Sequence, residues 1–486
     1  MLRPTVKLLT QELIEKIVAE ALEILEKVGV LVEHEEASGL LGDAGARLEQ
    51  AQKKAYIPKG LVERCLKTVP RTITLFDRTG HLAMKLEGDE IHFDPGSAAL
   101  TILDWKSQRQ RKPTTDDVIQ FARLTAALDH LDAQSTGLIA SDVPEEIADR
   151  YRLYLALLNC PKPVVTGTFA IEGFEIMKEM LVVVRGTEAE LRQKPLAIFD
   201  CCPSPPLKWS HLTCQNLMDC ARAGIPSELV SMPLTGATAP ATLTGALVQH
   251  TAENLSGIVI SQLTAPGAPV IYGGSPSAFD MHQGTTPMGA IETMMIDAAY
   301  AQIGKYLGLP THAYMGLSDA KVLDAQAGLE TAMGALLAAL SGINVISGPG
   351  MLDFESCQSL EKLVIDNEIC GMAKRLVQGI QVRSENLAED LWGNIYEGEH
   401  FLTSPSTLKW FREEFYFPSR AIDRDHYEAW CQEGGLTAGE RAHQLVEKIL
   451  KEKVPPPLGE TEVRELNKSM ATNARKYGID KLPGGY

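Results

Sequence analysis

Between Gly267 and Ser356 three short apolar segments alternate with two long helical stretches rich in small residues, and nothing else in the 486-residue chain restricts its fold as much. The segments read APVIYGG, THAYMG and INVISGPG, the last running on into DFES, and the helical stretches reach from Met294 to Leu307 and from Leu323 to Leu340. A short apolar run needs neighbouring strands to satisfy its backbone, and a helix-length connection between neighbours makes those strands parallel. Each run ends in glycine beside a polar or aromatic residue: Tyr272-Gly273-Gly274, Tyr314-Met315-Gly316 and Ser347-Gly348-Pro349-Gly350. Ligands of parallel α/β folds sit outside the carboxyl ends of the strands, so these corners are where chemistry is expected.

The same rhythm extends upstream. Apolar runs of strand length fall at 133–140, 163–169, 195–200, 227–232, 268–272, 311–315 and 342–347, separated by helical patterns at 145–158, 171–184, 209–223, 242–264, 288–307 and 322–340. With an eighth strand required from 91–105, the reading is a TIM (β/α)8 barrel over residues 91–380. An open doubly wound sheet is the runner-up, although no G-x-G-x-x-G turn supports a dinucleotide site. Residues 1–90 read as a small α+β extension, opened by an amphipathic helix at 11–28 and holding a strand at Thr72 to Phe76. Residues 381–486 read as a helical carboxyl-terminal region with an aromatic-rich stretch from Glu397 to Trp430.

A formal charge of −17 argues against nucleic acid or an anionic membrane as partner. The amino terminus carries charges every few residues, unlike a signal peptide, and no apolar run is long enough to cross a bilayer, so a soluble cytoplasmic protein is expected. Nine cysteines at irregular spacing suit reduced thiols.

Candidate chemistry is sparse. His211, Cys214 and Cys220 offer zinc-binding groups, but their spacing matches no tight ligand pair, and no metal site is assigned. There is no G-x-S-x-G, and no catalytic residue is assigned. Lys321 is the lysine nearest a strand end, which leaves a Schiff-base lyase or aldolase as an alternative. The strand ends are more suggestive, carrying Phe93, Asp94, Phe169, Asp200, Tyr272, Tyr314 and Ser347, with Asp353, Phe354 and Glu355 just beyond. Aromatic faces with carboxylates and few cations suit a quaternary ammonium group, which is drawn to aromatic quadrupoles and donates no hydrogen bond.

PGAPVIYGG, GAIETMMIDAAYAQIGKYLGLP, GLSDAKVLDAQAGLET and SGINVISGPGMLDF resemble the trimethylamine methyltransferase (MttB) superfamily, as do ATAPATLTGALVQHTAENLSGIVISQL and the late GEHFL, FYFPS and DRDHYEAW. The resemblance covers nearly the whole chain and is most specific over residues 230–380. It implies a TIM barrel that demethylates an N-methylated amine and passes the methyl group to Co(I) of a separate corrinoid protein, so that cobalamin belongs to the partner and none is held tightly by this chain. Archaeal trimethylamine enzymes of the family carry pyrrolysine in the barrel; this chain has only the standard twenty residues. The resemblance therefore points to the non-pyrrolysine branch, with glycine betaine and related quaternary amines as implied substrates. A non-enzymatic betaine-binding protein is the remaining alternative.

A quaternary amine leaves as a neutral tertiary amine, so no general acid is required. Charge on nitrogen falls in the transition state, and tight binding of the cation alone would gain little rate. Orientation contributes more, roughly 7 to 11 kcal/mol against roughly 0.5 to 2 for a cation–π contact. From their places at strand ends, Tyr272, Tyr314 and Phe354 are expected to line an ammonium pocket, with Phe93 and Phe169 beside them. Backbone N–H groups of Gly273, Gly274, Gly348 and Gly350 are expected to hold a substrate carboxylate. Asp319, Gln326 and Glu355 are the further polar candidates. A homo-oligomer is expected from the aromatic-rich carboxyl-terminal region.

Overall fold

The computed structural model describes residues 2–383, 386–388, 391–392 and 400–485; Glu397 and the Gly398-Glu399 of the GEHFL motif lie outside them. Among the described residues, eight parallel strands close into a barrel: β1 (His92–Asp94), β2 (Gln134–Ser135), β3 (Val164–Thr166), β4 (Ala197–Cys201), β5 (Ser227–Ser231), β6 (Val270–Gly274), β7 (His312–Tyr314) and β8 (Val345–Ser347). Parallel ladders run from β2 through β6, Tyr272 bridges to Thr311 beside β7, and β7 pairs with β8. Closure comes from both sides of β1. It pairs with β8 in the register Val345 to His92, and its Phe93 carbonyl accepts from Asp132 N at 2.7 Å just before β2. A closed sheet has no edges, which rules out the open doubly wound alternative.

Each strand is followed by a helix: α1 (Thr115–Ala127), α2 (Ala148–Asn159), α3 (Ile171–Arg185), α4 (His211–Ala223), α5 (Leu243–Thr264), α6 (Ile291–Tyr306), α7 (Ala325–Leu340) and α8 (Leu360–Val377). The eighth strand required between 91 and 105 is β1, and Thr101–Asp104 instead forms a small sheet with Arg109–Arg111, Met351–Leu352 and Cys357–Gln358. Helix α5 is buried almost throughout because the amino-terminal helix Gln11–Lys27 packs against it, inserting Ile14, Ile17, Ala21 and Leu25. That covering explains why α5 lacks the one-sided apolar stripe of a surface helix.

The extension does a second job that its sequence did not announce. Strand Ile73–Phe76 pairs antiparallel with Leu82–Leu86, and Ile73, Leu75, Met84 and Leu86 of this hairpin pack against Ala133, Val165, Ile198, Ile271 and Val345. The hairpin therefore seals the amino-terminal end of the barrel with apolar side chains. At the carboxyl terminus, helix Ala438–Glu452 packs on α8 and α1, and helix Glu460–Lys476 packs on α3 and α2. No helix among the described residues is long and apolar enough to cross a membrane.

One close approach fixes α7 against the barrel. A Cβ at Gly334 would lie 2.0 Å from the Met315 carbonyl oxygen, so only glycine lets the helix sit this near β7. Gly334→Ala should lower the unfolding free energy by about 3 kcal/mol, measured by urea denaturation, because backbone rather than a flexible side chain would have to move.

Candidate active site

Side chains along a strand alternate between faces, so every second residue of a barrel strand points inward. Above the apolar layer sealed by the hairpin, the inward positions become polar. They are Asp94 on β1, Asp200 on β4, Glu228 on β5, His312 on β7 and Ser347 on β8, and all but Asp200, which borders a cavity above, are at most 1% exposed. Ser347 Oγ donates to Asp94 Oδ2 at 2.7 Å and lies 3.1 Å from His312 Nε2. On its other side the imidazole Nδ1 is 3.1 Å from Glu228 Oε1, without hydrogen-bonding geometry.

At the carboxyl ends of the strands a cavity of about 380 Å³ opens, bordered by Asp200, Tyr314 and Glu355 together with Arg152, Phe169 and Met232. Its volume suits a small organic ligand. Hollows of about 420 and 1110 Å³ also exist, but they border the carboxyl-terminal helices and no strand end. Tyr314 is held by its edge-on contact with His312, ring centroids 4.7 Å apart, and by its hydroxyl 3.1 Å from Ser97 Oγ. Glu355 Oε1 accepts from Ser97 N at 3.1 Å. It is aimed there by an unusual turn: Asp353, Phe354 and Glu355 all have left-handed φ, at 51°, 55° and 66°. Three successive non-glycine residues in that region are costly, and such strain concentrates where a side chain must be placed for function. Across the cavity Arg152 Nη1 donates to Thr136 O at 2.6 Å, and its guanidinium lies 4.4 Å from the Phe169 ring centroid. Asp149 Oδ2 in turn accepts from Phe169 N at 2.9 Å, pinning the loop after β3.

Burial dominates the electrostatics. It pushes Asp200 up to about 7, against the opposing influence of the neighbouring Glu228 carboxyl, of the Arg152 charge and of the Tyr314 hydroxyl. Glu355 is pushed up to about 8, by burial first and by the Asp200 charge as well. Asp94 and Glu228 lie well above the ordinary carboxylate range, again by burial and then by neighbouring acids. Desolvation lowers His312 to about 3, leaving it neutral, and lowers Arg152 to about 10, which keeps it charged. The cavity thus joins an acidic, aromatic side to one buried cation. Such a surface can seat a compact organic cation whose other end is anionic.

Of the residues expected from sequence, Tyr314, Phe169 and Glu355 border this cavity. Tyr272 and Phe93 do not, because they occupy outward positions. The Tyr272 hydroxyl is 3.1 Å from Thr251 Oγ1 on α5, and the Phe93 ring faces Lys374 on α8. Tyr272→Phe should therefore cost about 1 kcal/mol in thermal or urea unfolding and leave the substrate KM unchanged.

The glycines are also spoken for. Gly273 N donates to Asn254 Oδ1 at 3.2 Å and Gly350 N to Asp366 Oδ2 at 2.6 Å, while Gly274 backs onto His250 and Gly348 onto Leu317. Asp319 receives Met288 N and Gly289 N, tying down the loop before α6, and exposed Gln326 bonds Glu330. Phe354 lies under the Lys321 ammonium, 3.7 Å from its ring centroid, and Lys321 is itself paired with Asp353 at 3.2 Å. None of these borders the cavity. His211 stacks on His34 with centroids 4.6 Å apart, and among the described residues no cluster of three or more His, Cys, Asp or Glu side chains could hold a metal ion.

Sequence reasoning missed Arg152, Glu228 and His312. A carboxylate inside the apolar strand SELVS and a histidine beginning HAY were legible as interior polar positions, whereas Arg152 was hidden among the outer-face residues of a helix reading ADRYRLYLALLN.

The family model described as trimethylamine methyltransferase (MTTB) matches residues 2–478. A trimethylamine methyltransferase MttB of Desulfitobacterium hafniense (strain DSM 10664 / DCB-2) is 33% identical over 458 residues, covering 94% of this chain and 92% of that one. A glycine betaine methyltransferase of Desulfitobacterium hafniense (strain Y51) is 32% identical over 480 residues, covering 98% and 99%. The trimethylamine methyltransferase MttB of Methanosarcina barkeri is 34% identical over 460 residues, covering 93% and 92%. Among solved structures, the Methanosarcina barkeri monomethylamine methyltransferase (MtmB) superposes with a TM-score of 0.53 at 10% identity, over 97% of this chain and 88% of that one, a likeness of fold. With these full-length similarities and a barrel of the same architecture, the chain belongs to the trimethylamine methyltransferase (MTTB) family of methyltransferases.

Proposed function

We propose that the protein transfers a methyl group from a quaternary ammonium compound, glycine betaine or a near relative, to Co(I) of a corrinoid carried by a separate protein. The observation that carries the substrate class is the cavity at the strand ends, where Asp200, Glu355 and Tyr314 face the buried cation Arg152. An ammonium head set against the acids and the tyrosine ring leaves a carboxylate free to reach the guanidinium. The full-length likeness to a glycine betaine methyltransferase supports the same reading.

A cavity of about 380 Å³ has room for a betaine, and in this reading the corrinoid is a co-substrate presented at the barrel mouth. Reduced corrinoid supplies the nucleophile, and the electron pair of the broken C–N bond stays on nitrogen. The amine leaves neutral and takes up no proton in the step. The work of this chain is then positional. Arg152, backed by the Phe169 ring, fixes one end of the substrate, Tyr314 limits the tumbling of the other, and the enclosing strand ends keep water from the reacting carbon. Among the described residues no lysine borders the cavity, and Lys321 is engaged outside it, so the lyase reading finds no support.

The test is anaerobic incubation of the chain with a reduced cognate corrinoid protein and a panel of glycine betaine, proline betaine, carnitine and γ-butyrobetaine. One member should give an absorbance change for methylated corrinoid together with an equal amount of the demethylated amine. Thermal stabilisation by a panel member without transfer would favour a binding protein, and no response from any of them would reject the substrate class.

A further inference from the structure

The acids beneath the cavity cannot all be ionised, and their hydrogen bonds say where a proton must sit. Ser347 spends its hydrogen on Asp94 Oδ2, so it accepts from His312 Nε2–H. That leaves His312 Nδ1 as a lone pair facing Glu228 Oε1 at 3.1 Å. Two acceptors at that distance repel, more so when the carboxyl is ionised, which favours protonated Glu228, since a buried imidazole is a poor place to carry charge. Glu228 has both oxygens without a hydrogen-bond donor, as have Asp94 Oδ1 and Asp200 Oδ1, all of them buried. Leaving so many buried acceptors unsatisfied is costly, and carboxyl protons are the economical remedy. The left-handed turn that carries Glu355 to the cavity bordered by Asp200 adds backbone strain to a crowded charge.

We propose that the substrate displaces a proton from these acids: entry of a permanently cationic head ionises one carboxyl of the Asp200–Glu355 pair, both of which border the cavity, and sends its proton to solvent. The inference rests on the substrate class proposed above and concerns how the site acquires its charge. In the step a carboxyl O–H bond breaks, its electron pair remains on the carboxylate oxygen, and water at the cavity mouth takes the proton. The charged and titratable groups facing the pair are Asp94 from β1, Arg152 from α2, Cys202 after β4, Glu228 from β5, and His312 and Tyr314 from β7. Arg152 is the single cation among them and borders the cavity without giving Glu228 or Asp94 a hydrogen bond. Because burial raises Asp200 to about 7 and Glu355 to about 8, the pair is protonated below that range and ionised above it. A fixed cation prefers the ionised form, so affinity rises with pH up to that range and is flat beyond it.

Titration calorimetry in paired buffers of different ionisation enthalpy tests this, with tetramethylammonium and glycine betaine as probes. Near pH 6 close to one proton should be released per cation bound, falling toward none near pH 9, with affinity changing about tenfold per pH unit at the acidic end. The doubly substituted Asp200→Asn, Glu355→Gln protein should bind more weakly, release no proton and lose the pH dependence. In ligand-free native protein near pH 6, infrared difference spectroscopy should show protonated carboxyl bands that fade when either probe is added. Binding without proton release, or no protonated carboxyl in the free protein, overturns this inference and leaves the substrate class standing. Failure of both probes to bind overturns the two together.

Discussion

Replacing Arg152 with methionine should weaken glycine betaine binding by about 100-fold or more while leaving tetramethylammonium binding undiminished. Among the described residues the guanidinium is the single cation bordering the cavity, and it is held in place by Thr136 O and the Phe169 ring. Taking it away leaves a ligand carboxylate buried without a partner, a loss of about 3 kcal/mol or more, and each 1.4 kcal/mol is about tenfold in affinity. A bare ammonium never uses that contact and would meet a more negative site. Stability should fall by no more than about 2 kcal/mol, because Asp200 can stay protonated and Asp149 already accepts from Phe169 N and Arg150 N. Calorimetry with the two ligands, beside urea denaturation, separates loss of recognition from loss of fold. Equal weakening of both ligands would contradict the assignment of Arg152 to the anionic end.

The largest stability effect is expected from Lys362→Met. Lys362 is 0% exposed and pairs with Asp366 one turn along α8, while its ammonium also donates to Thr331 Oγ1 of α7 at 2.7 Å. Asp366 in turn accepts from Gly350 N at the exit of β8, so the pair joins two helices to the corner that leads into the Asp353–Glu355 turn. Methionine fills similar space but leaves Asp366 a buried carboxyl with one contact, and removing one member of such a pair costs about 3 to 5 kcal/mol. Burial raises Asp366, and the Lys362 charge and hydrogen bond oppose that rise together with the Gly350 N–H, so in the variant only the Gly350 N–H still opposes it and the carboxyl should hold its proton to higher pH. The remaining penalty should then grow as pH rises, since ionising Asp366 becomes progressively more demanding. Urea denaturation at two pH values checks the size and the sign. The double variant Lys362→Met, Asp366→Leu should recover much of the loss, because an apolar pair leaves no orphaned charge.

The barrel was legible because its strands are short apolar runs bounded by helical patterns, a local signal that survives in the sequence of each β/α unit. The strand ends of β7 and β8 were likewise found, and Tyr314 and Glu355 with them. What failed at Tyr272 was parity. In VIYGG the inward residues are Ile271 and Gly273, and the phenol faces α5, but the choice between the two sets depends on register around the closed sheet, which no local run contains. The glycine corners misled for a related reason, since Gly273 and Gly350 looked free for a ligand while Asn254 and Asp366, distant in sequence, had already taken their N–H groups. Arg152 was beyond reach because charged residues on barrel helices ordinarily face solvent, and only the packing of α2 turns this one inward. The hairpin seal is similar: Leu82–Leu86 alternates weakly, and its partner surface is drawn from four separate strands and the residue before β2.

A structure of the protein in complex with glycine betaine is the most direct check on the proposed binding mode. The trimethylammonium head should lie against the Tyr314 ring with Asp200 and Glu355 beside it, and the carboxylate should reach the Arg152 guanidinium. A betaine seated instead against Tyr272, beneath Lys321 at Phe354, or in the cavity with its ends reversed would contradict it.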